Sequence, residues 1–201
     1  MLQRLEQNSP RYPESIRRFL GDRAPATISA LGNLDLLDKP QKLALFCSVK
    51  CTGNLILKLY DFARELREKG VTVVGGFHSP MEKECLALLL RGSQPIIICP
   101  ARSLETFRLP AAWRAPLESK RLLLLSPFTE KHSRATARLA QGRNELVAAL
   151  ADMVLIAYAQ PGSKTEAFAQ QLLSWNKPLL TLDDKANNQL VALGAKQTAS
   201  L

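Results

Sequence analysis

A chain of 201 residues with 46% hydrophobic and 22% charged residues has the makeup of one globular domain with a sizeable core, which excludes a disordered or fibrous protein. Its longest apolar stretch, Leu146 to Ala159, is interrupted by Asp152 and too short to cross a bilayer, and the N-terminus lacks the apolar core of a signal peptide. The expected location is therefore the cytoplasm, with no membrane partner. The net charge of +9 is uneven: between residues 101 and 143, Arg102, Arg108, Arg114, Lys120, Arg121, Lys131, Arg134, Arg138 and Arg143 face only Glu105, Glu118 and Glu130. Such a concentrated positive field favours polyanions.

In chain order, Pro13 to Leu20 reads as a short helix ended by Gly21, and Ala24 to Pro40 as a compact, loop-rich lead-in. Lys42 to Ser48 is an apolar, strand-like run. Asn54 to Lys69 follows as an amphipathic helix, with Leu55, Leu59, Phe62, Ala63 and Leu66 at helical spacing and Gly70 at its end. Val71 to Gly75 is a second strand. Ser79-Pro80 then opens a helix with Ser79 as cap, proline at the first position and Glu82 placed for a capping box. Pro95 to Cys99, Leu122 to Ser126 and Asp152 to Tyr158 are apolar runs of the kind that parallel sheets bury on both faces. Lys164 to Trp175 is a helix, Pro178 to Leu182 a last strand, and Asn187 to Leu193 a closing helix ended by Gly194.

Strands alternating with helix-length connections predict an α/β fold: a Rossmann-like, doubly wound, mainly parallel sheet with helices on both faces. Residues 1–40 are too few for a core of their own and are expected to form an N-terminal extension packed on this core; residues 41–201 form the Rossmann-like nucleotide- or DNA-binding domain. Cys47 and Cys99 end strand-like runs and Cys85 lies in a leucine-rich helical pattern, so buried thiols are expected. Cys47 and Cys51 have three residues between them and no converging ligands nearby, so no metal is expected. No cofactor is expected either.

Ligands of an open α/β sheet bind beyond the carboxyl ends of the strands. Four segments would meet there. In the first, Ser48 and Lys50 precede a helix start, where amides, a hydroxyl and an ammonium suit a phosphate. This loop matches neither standard phosphate-binding pattern, and an ordinary strand-to-helix loop reads the same. In the second, Gly75 and Gly76 let the backbone turn sharply and approach a ligand, and His78 either binds phosphate or caps the helix. The third is Arg143-Asn144; the nearby Arg138 reads as part of a solvated helix face. The fourth places Gly162, Ser163, Lys164 and Thr165 at a helix start, which serves an anion or is a glycine turn with a serine cap.

Together these segments resemble the DNA-processing protein A (Smf) family, within the superfamily shared with the lonely-guy phosphoribohydrolases. Tyr12-Pro13, Gly32-Asn33 with Leu36-Leu37, and Phe46-Cys47-Ser48-Val49 resemble family motifs near the N-terminus and first strand end. Gly75 to Glu82 resembles the second strand-end motif, Arg143 to Asp152 matches the family's Arg-Asn segment closely, and Pro161 to Ala167 resembles its Ser-Gly-Ser segment. The departures are Val49 in place of the motif arginine, Pro80 and Glu82 in place of glycine and aspartate, and Leu86 in place of a histidine. The chain is expected to lack the family's C-terminal winged-helix module.

The resemblance implies a non-catalytic module of DNA processing or recombination that binds single-stranded DNA or a nucleotide, with Arg143, Lys50 and Lys164 on phosphates. It implies a recombinase as partner, and a homodimer is a further expectation. The alternatives are a nucleotide N-glycoside hydrolase (a phosphoribohydrolase), in which Arg143 and Glu166 imitate the lonely-guy catalytic pair, and a sensor that binds a nucleotide signal without turning it over. The 6% aromatic content argues against an extensive base-stacking platform, so DNA binding is expected to be electrostatic.

Overall fold

The computed structural model describes residues 2–200. They form a nine-stranded sheet in the order β1 (Gln3–Glu6), β2 (Thr27–Gly32), β6 (Leu122–Ser126), β5 (Ile96–Ile98), β4 (Thr72–Gly75), β3 (Lys42–Phe46), β7 (Met153–Ile156), β8 (Leu179–Leu182) and β9 (Lys196–Thr198). β3 to β9 pair in parallel; β1 and β2 run antiparallel to each other, and β2 runs antiparallel to β6. This is the doubly wound α/β fold that the alternating pattern predicts.

Strand periodicity divides the core in two. Ala44, Phe46, Val74, Ile97, Leu123 and Leu125 face α1 (Glu14–Leu20), α5 (Ala137–Leu150) and α6 (Lys164–Ser174). Leu43, Leu45, Val73, Ile96, Ile98, Leu122 and Leu124 face α2 (Gly53–Leu66) and α3 (Pro80–Leu89) on the other side. Because alternate residues of each central strand face opposite layers, these strands are apolar throughout. Leu55, Leu59, Phe62, Ala63 and Leu66 bury one stripe of α2, each fully buried leucine contributing about 1.5–3 kcal/mol. The short α4 (Arg114–Glu118) precedes β6, and α7 (Asn188–Leu193) closes on Gly194 in the left-handed conformation at φ 119°.

Ala24 to Pro40 is not the loop-rich lead-in expected. It contains β2, which continues the sheet beyond β6, and a 3-10 turn over Leu34–Leu37 capped by Asn33. Tyr12, Ile16 and Leu20 pack into the α5 side of the core, and Arg23 bridges to Glu145 at 2.5 Å. Several strands also end earlier than their apolar runs. Beyond Phe46, the Cys47 N–H donates to the Glu82 carboxylate at 3.0 Å, and Ser48 N–H meets the Tyr158 carbonyl at 2.9 Å, so 47–48 leave the ladder. α2 likewise stops at Leu66, and turns carry the chain to Gly70 at φ 67°.

The chain steps outward from β3 through β4 and β5 to β6, and α5 then carries it back to β7 on the other side of β3. The strand order therefore reverses between β3 and β7. A crevice opens at the carboxyl ends of these strands, where such sheets bind ligands. Among the described residues no helix is long and apolar enough to cross a membrane.

Candidate functional site

The crevice holds a cavity of 170 Å³. Phe46 and Cys47 line it from the end of β3, and His78, Ser79 and Glu82 from the start of α3. Ala140, Arg143 and Asn144 line it from α5, and Lys164, Thr165 and Phe168 from α6. The spacings explain the faces: 140, 143 and 144 share one side of α5, and 164, 165 and 168 one side of α6.

Arg143 forms the inner wall and is only 4% exposed. Its Nη1 donates to the Cys99 carbonyl at the end of β5 (3.1 Å), and its Nε donates to Asn144 Oδ1 (2.8 Å). Nη2 has no hydrogen-bond acceptor among the described residues. Burial pulls the guanidinium below its usual range while the Glu82 carboxylate pushes it back up; an arginine there stays charged. The result is a fixed, largely desolvated cation facing a small cavity.

Glu82 organises the opposite wall. It completes the capping box with Ser79, whose hydroxyl accepts from Glu82 N–H at 3.4 Å. Its carboxylate also accepts from the backbone of His78 (2.8 Å), Ser79 (3.4 Å) and, across the sheet edge, Cys47 (3.0 Å). One buried side chain thus ties the end of β3 to the β4–α3 turn. The capping box is legible in the sequence, but the bond to Cys47, 35 residues away, is not.

The glycines at the end of β4 serve a different purpose from the one expected. Neither has positive φ; the turn is made by Phe77 at φ 46°. They are needed for space. A Cβ on Gly75 would meet the Phe77 ring at 2.8 Å, and one on Gly76 would lie 1.4 Å from Arg143 Nη1.

At α6, Ser163 caps the helix by accepting from Glu166 N–H (3.3 Å), and Glu166 Oε2 accepts from Gly162 N–H (2.8 Å), with Gly162 at φ 70°. The first amides of the helix, those of Lys164 and Thr165, have no acceptor among the described residues, as at any helix start. Lys164 is exposed and Thr165 partly so, both on the cavity rim.

Of the residues singled out from the sequence, His78, Arg143, Asn144, Lys164 and Thr165 line the cavity, and Gly76 packs under Arg143. Gly75, Gly162 and Ser163 shape its borders without lining it. Ser48 is buried and its hydroxyl accepts from Gln160 N–H at 3.1 Å, joining the loops after β3 and β7. Lys50 is exposed on the β3–α2 loop, outside the lining. Glu166 is bound to Gly162 and is also outside it, so the Arg143–Glu166 pair of a hydrolase is not assembled around this cavity.

The sequence reading missed Phe46 and Phe168, an edge-to-face pair with ring centroids 5.2 Å apart that makes the apolar side. Phe168 was within reach of the sequence, four residues after Lys164 on the same helical face. The basic stretch is also divided. Arg121 is spent on the carbonyls of Leu89 and Leu90 at the end of α3 and of Gln94 just before β5, whereas Lys131, Arg134 and Arg138 are exposed around an open groove at the start of α5.

These features define a doubly wound α/β protein with a cationic cavity at its topological switch point. The model of the DNA recombination-mediator protein A family matches residues 3–200, and the chain belongs to that family. DNA processing protein A from Streptococcus pneumoniae superposes with a TM-score of 0.81 at 18% identity, covering 99% of this chain and 71% of that one. DNA processing protein A from Helicobacter pylori, described for its unique mode of binding single-stranded DNA, gives 0.79 at 24% identity, covering 98% and 90%. The molybdenum cofactor carrier protein of Chlamydomonas reinhardtii gives 0.53 at 12% identity, covering 79% and 89%. These likenesses show a shared fold. No curated protein matches the sequence.

Proposed function

We propose that this chain binds single-stranded DNA in DNA processing or recombination, holding a backbone phosphate in the cavity between α5 and α6. The observation that carries the reading is Arg143: a buried guanidinium in the cavity wall, oriented by Cys99 and Asn144, whose Nη2 has no acceptor among the described residues. Lys164, the open amides of Lys164 and Thr165, the Thr165 hydroxyl and His78 supply further donors to an anion at the positive end of α6. A cavity of 170 Å³ is small, which suits one phosphate group and its sugar better than a whole dinucleotide.

Family membership supports the DNA reading, as does the single-stranded DNA binding of the Helicobacter pylori relative. The groove bordered by Lys131, Arg134 and Arg138 begins one turn before Ala140 on α5, so a strand leaving the cavity meets a second positive surface at once. Phosphate contacts then set affinity, and base identity matters little. Fluorescence anisotropy with a short oligothymidine tests the reading: binding that weakens with salt and with loss of Arg143 supports it, and no binding at low salt removes it.

A further inference from the structure

At the amino edge of the sheet, opposite the DNA cavity, the lead-ins to β7 and β8 and one side of α1 border a second, open cavity of 430 Å³. α6 ends at Ser174, Trp175 follows as its cap, and Asn176 turns the chain at φ 55°. The turn brings Lys177 inward, where it is only 6% exposed. Its Nζ donates to the Ala151 carbonyl and lies 3.9 Å from the centre of the Phe19 ring. Ala151, Phe19 and Lys177 all line the cavity, so the amine stands in its wall.

A lysine buried this deeply ordinarily faces a carboxylate. Lys177 makes no ion pair among the described residues. Asp152, on the same cavity, is engaged by Lys42: its carboxylate accepts from the Lys42 N–H at 2.8 Å and lies 3.7 Å from the Lys42 Nζ. The other charges bordering the cavity are Glu14 and Arg18 of α1, both exposed on the rim. The Arg18 guanidinium lies 5.3 Å from the centre of the same Phe19 ring. An amine out of water, near two cations and touching no carboxylate, gives up its proton readily, and burial brings Lys177 down to about 8. The neutral amine is a nucleophile.

We propose that Lys177 is a site of N-acylation whose donor is an acyl phosphate, with Arg18 holding the phosphate at the rim of the cavity. The neutral Nζ attacks the acyl carbon, a C–N bond forms and the C–O bond to phosphate breaks. Phosphate leaves with the electron pair, and the nitrogen loses one proton to solvent. The product is an amide that keeps one N–H for the Ala151 carbonyl, carries no charge and places its acyl group in the cavity.

The test is the rate of acetylation at each lysine of the full chain treated with acetyl phosphate at pH 7, followed by mass spectrometry of chymotryptic peptides. The exposed Lys83 of α3 is the reference. At this pH an amine that titrates near 8 is neutral about two orders of magnitude more often than one at 10.5. Allowing for its lower basicity, Lys177 is expected to react about tenfold faster than Lys83. Its rate should level off above pH 8, while that of Lys83 keeps climbing. Arg18→Ala, an exposed substitution, should slow Lys177 acetylation by acetyl phosphate more than by the uncharged N-acetoxysuccinimide. A Lys177 that reacts no faster than Lys83 overturns the acylation site. Equal slowing with both reagents overturns the acyl phosphate as the donor that Arg18 recognises.

Discussion

The guanidinium of Arg143 occupies the space that a side chain at Gly76 would fill: a Cβ there would lie 1.4 Å from Nη1 and 1.9 Å from Cζ. Glycine at the end of β4 and arginine in the middle of α5 are thus one spatial unit, closed by the Cys99 carbonyl and Asn144. The cavity exists in its present form because the strand end has no side chain.

Gly76→Ala should therefore displace Arg143 without touching any ligand directly. Overpacking against a buried, hydrogen-bonded group is expected to cost about 1–3 kcal/mol of stability. Urea denaturation measures it, and DNA affinity should fall along with it. An alanine variant as stable as wild type would show that the guanidinium has room to move aside.

Arg143→Ala is expected to weaken oligothymidine binding by about 1.5–3 kcal/mol, the range of a charge-assisted bond to phosphate. Arg143→Lys keeps the charge but cannot reproduce the fork that reaches both Cys99 and Asn144, so it should recover only part of the loss. Anisotropy titrations at one salt concentration compare the three proteins. A lysine variant equal to wild type would mean that charge alone matters.

Glu82→Ala strips the acceptor from the amides of Cys47, His78 and Ser79 and is expected to destabilise the fold by about 1.5–3 kcal/mol. Glu82→Gln retains one carbonyl acceptor and should lose less. Chemical denaturation of both separates hydrogen bonding from charge. Equal losses would assign the effect to charge, through Arg143.

Lys177 gives a pH dependence. Its ammonium is buried, donates to the Ala151 carbonyl at the end of α5 and lies 3.9 Å from the centre of the Phe19 ring. Burial, helped by Arg18 and Lys42 and opposed by Asp152, lowers it from 10.5 to about 8. Between these values the unfolded chain binds the proton that the folded chain has released, so stability rises with pH across that window. The thermal midpoint of wild type relative to Lys177→Met should climb from pH 8 to pH 10. A flat or falling difference would contradict the depressed value.

The central sheet was legible because β3 to β8 are apolar runs whose residues are buried on alternate faces, a signal that depends on local sequence alone. The edge strands were not. β1 buries only Leu5, and β9 (Lys196–Thr198) buries nothing; both are held by backbone pairing rather than by an apolar face. At the site, Ser79 with Glu82 and Ser163 with Glu166 could be read as caps because their partners are three residues away. The reach of Glu82 to Cys47, of Gln160 to Ser48 and of Arg143 to Cys99 depends on which strands end side by side, and spacing along the chain carries no trace of that.

The most direct test of the account is the salt dependence of oligothymidine binding, measured for wild type and Lys164→Ala. Lys164 is exposed on the cavity rim, so its loss should remove one phosphate contact and leave the fold intact. Arg64→Ala, near the far end of α2 and away from the carboxyl edge of the sheet, is the control. The expected wild-type plot of log affinity against log salt is a falling straight line, with about 0.7 of slope for each phosphate neutralised. Lys164→Ala should flatten it by about 0.7 and Arg64→Ala should leave it unchanged. Equal slopes for wild type and Lys164→Ala would place the DNA elsewhere on the protein and contradict the cavity as its phosphate site.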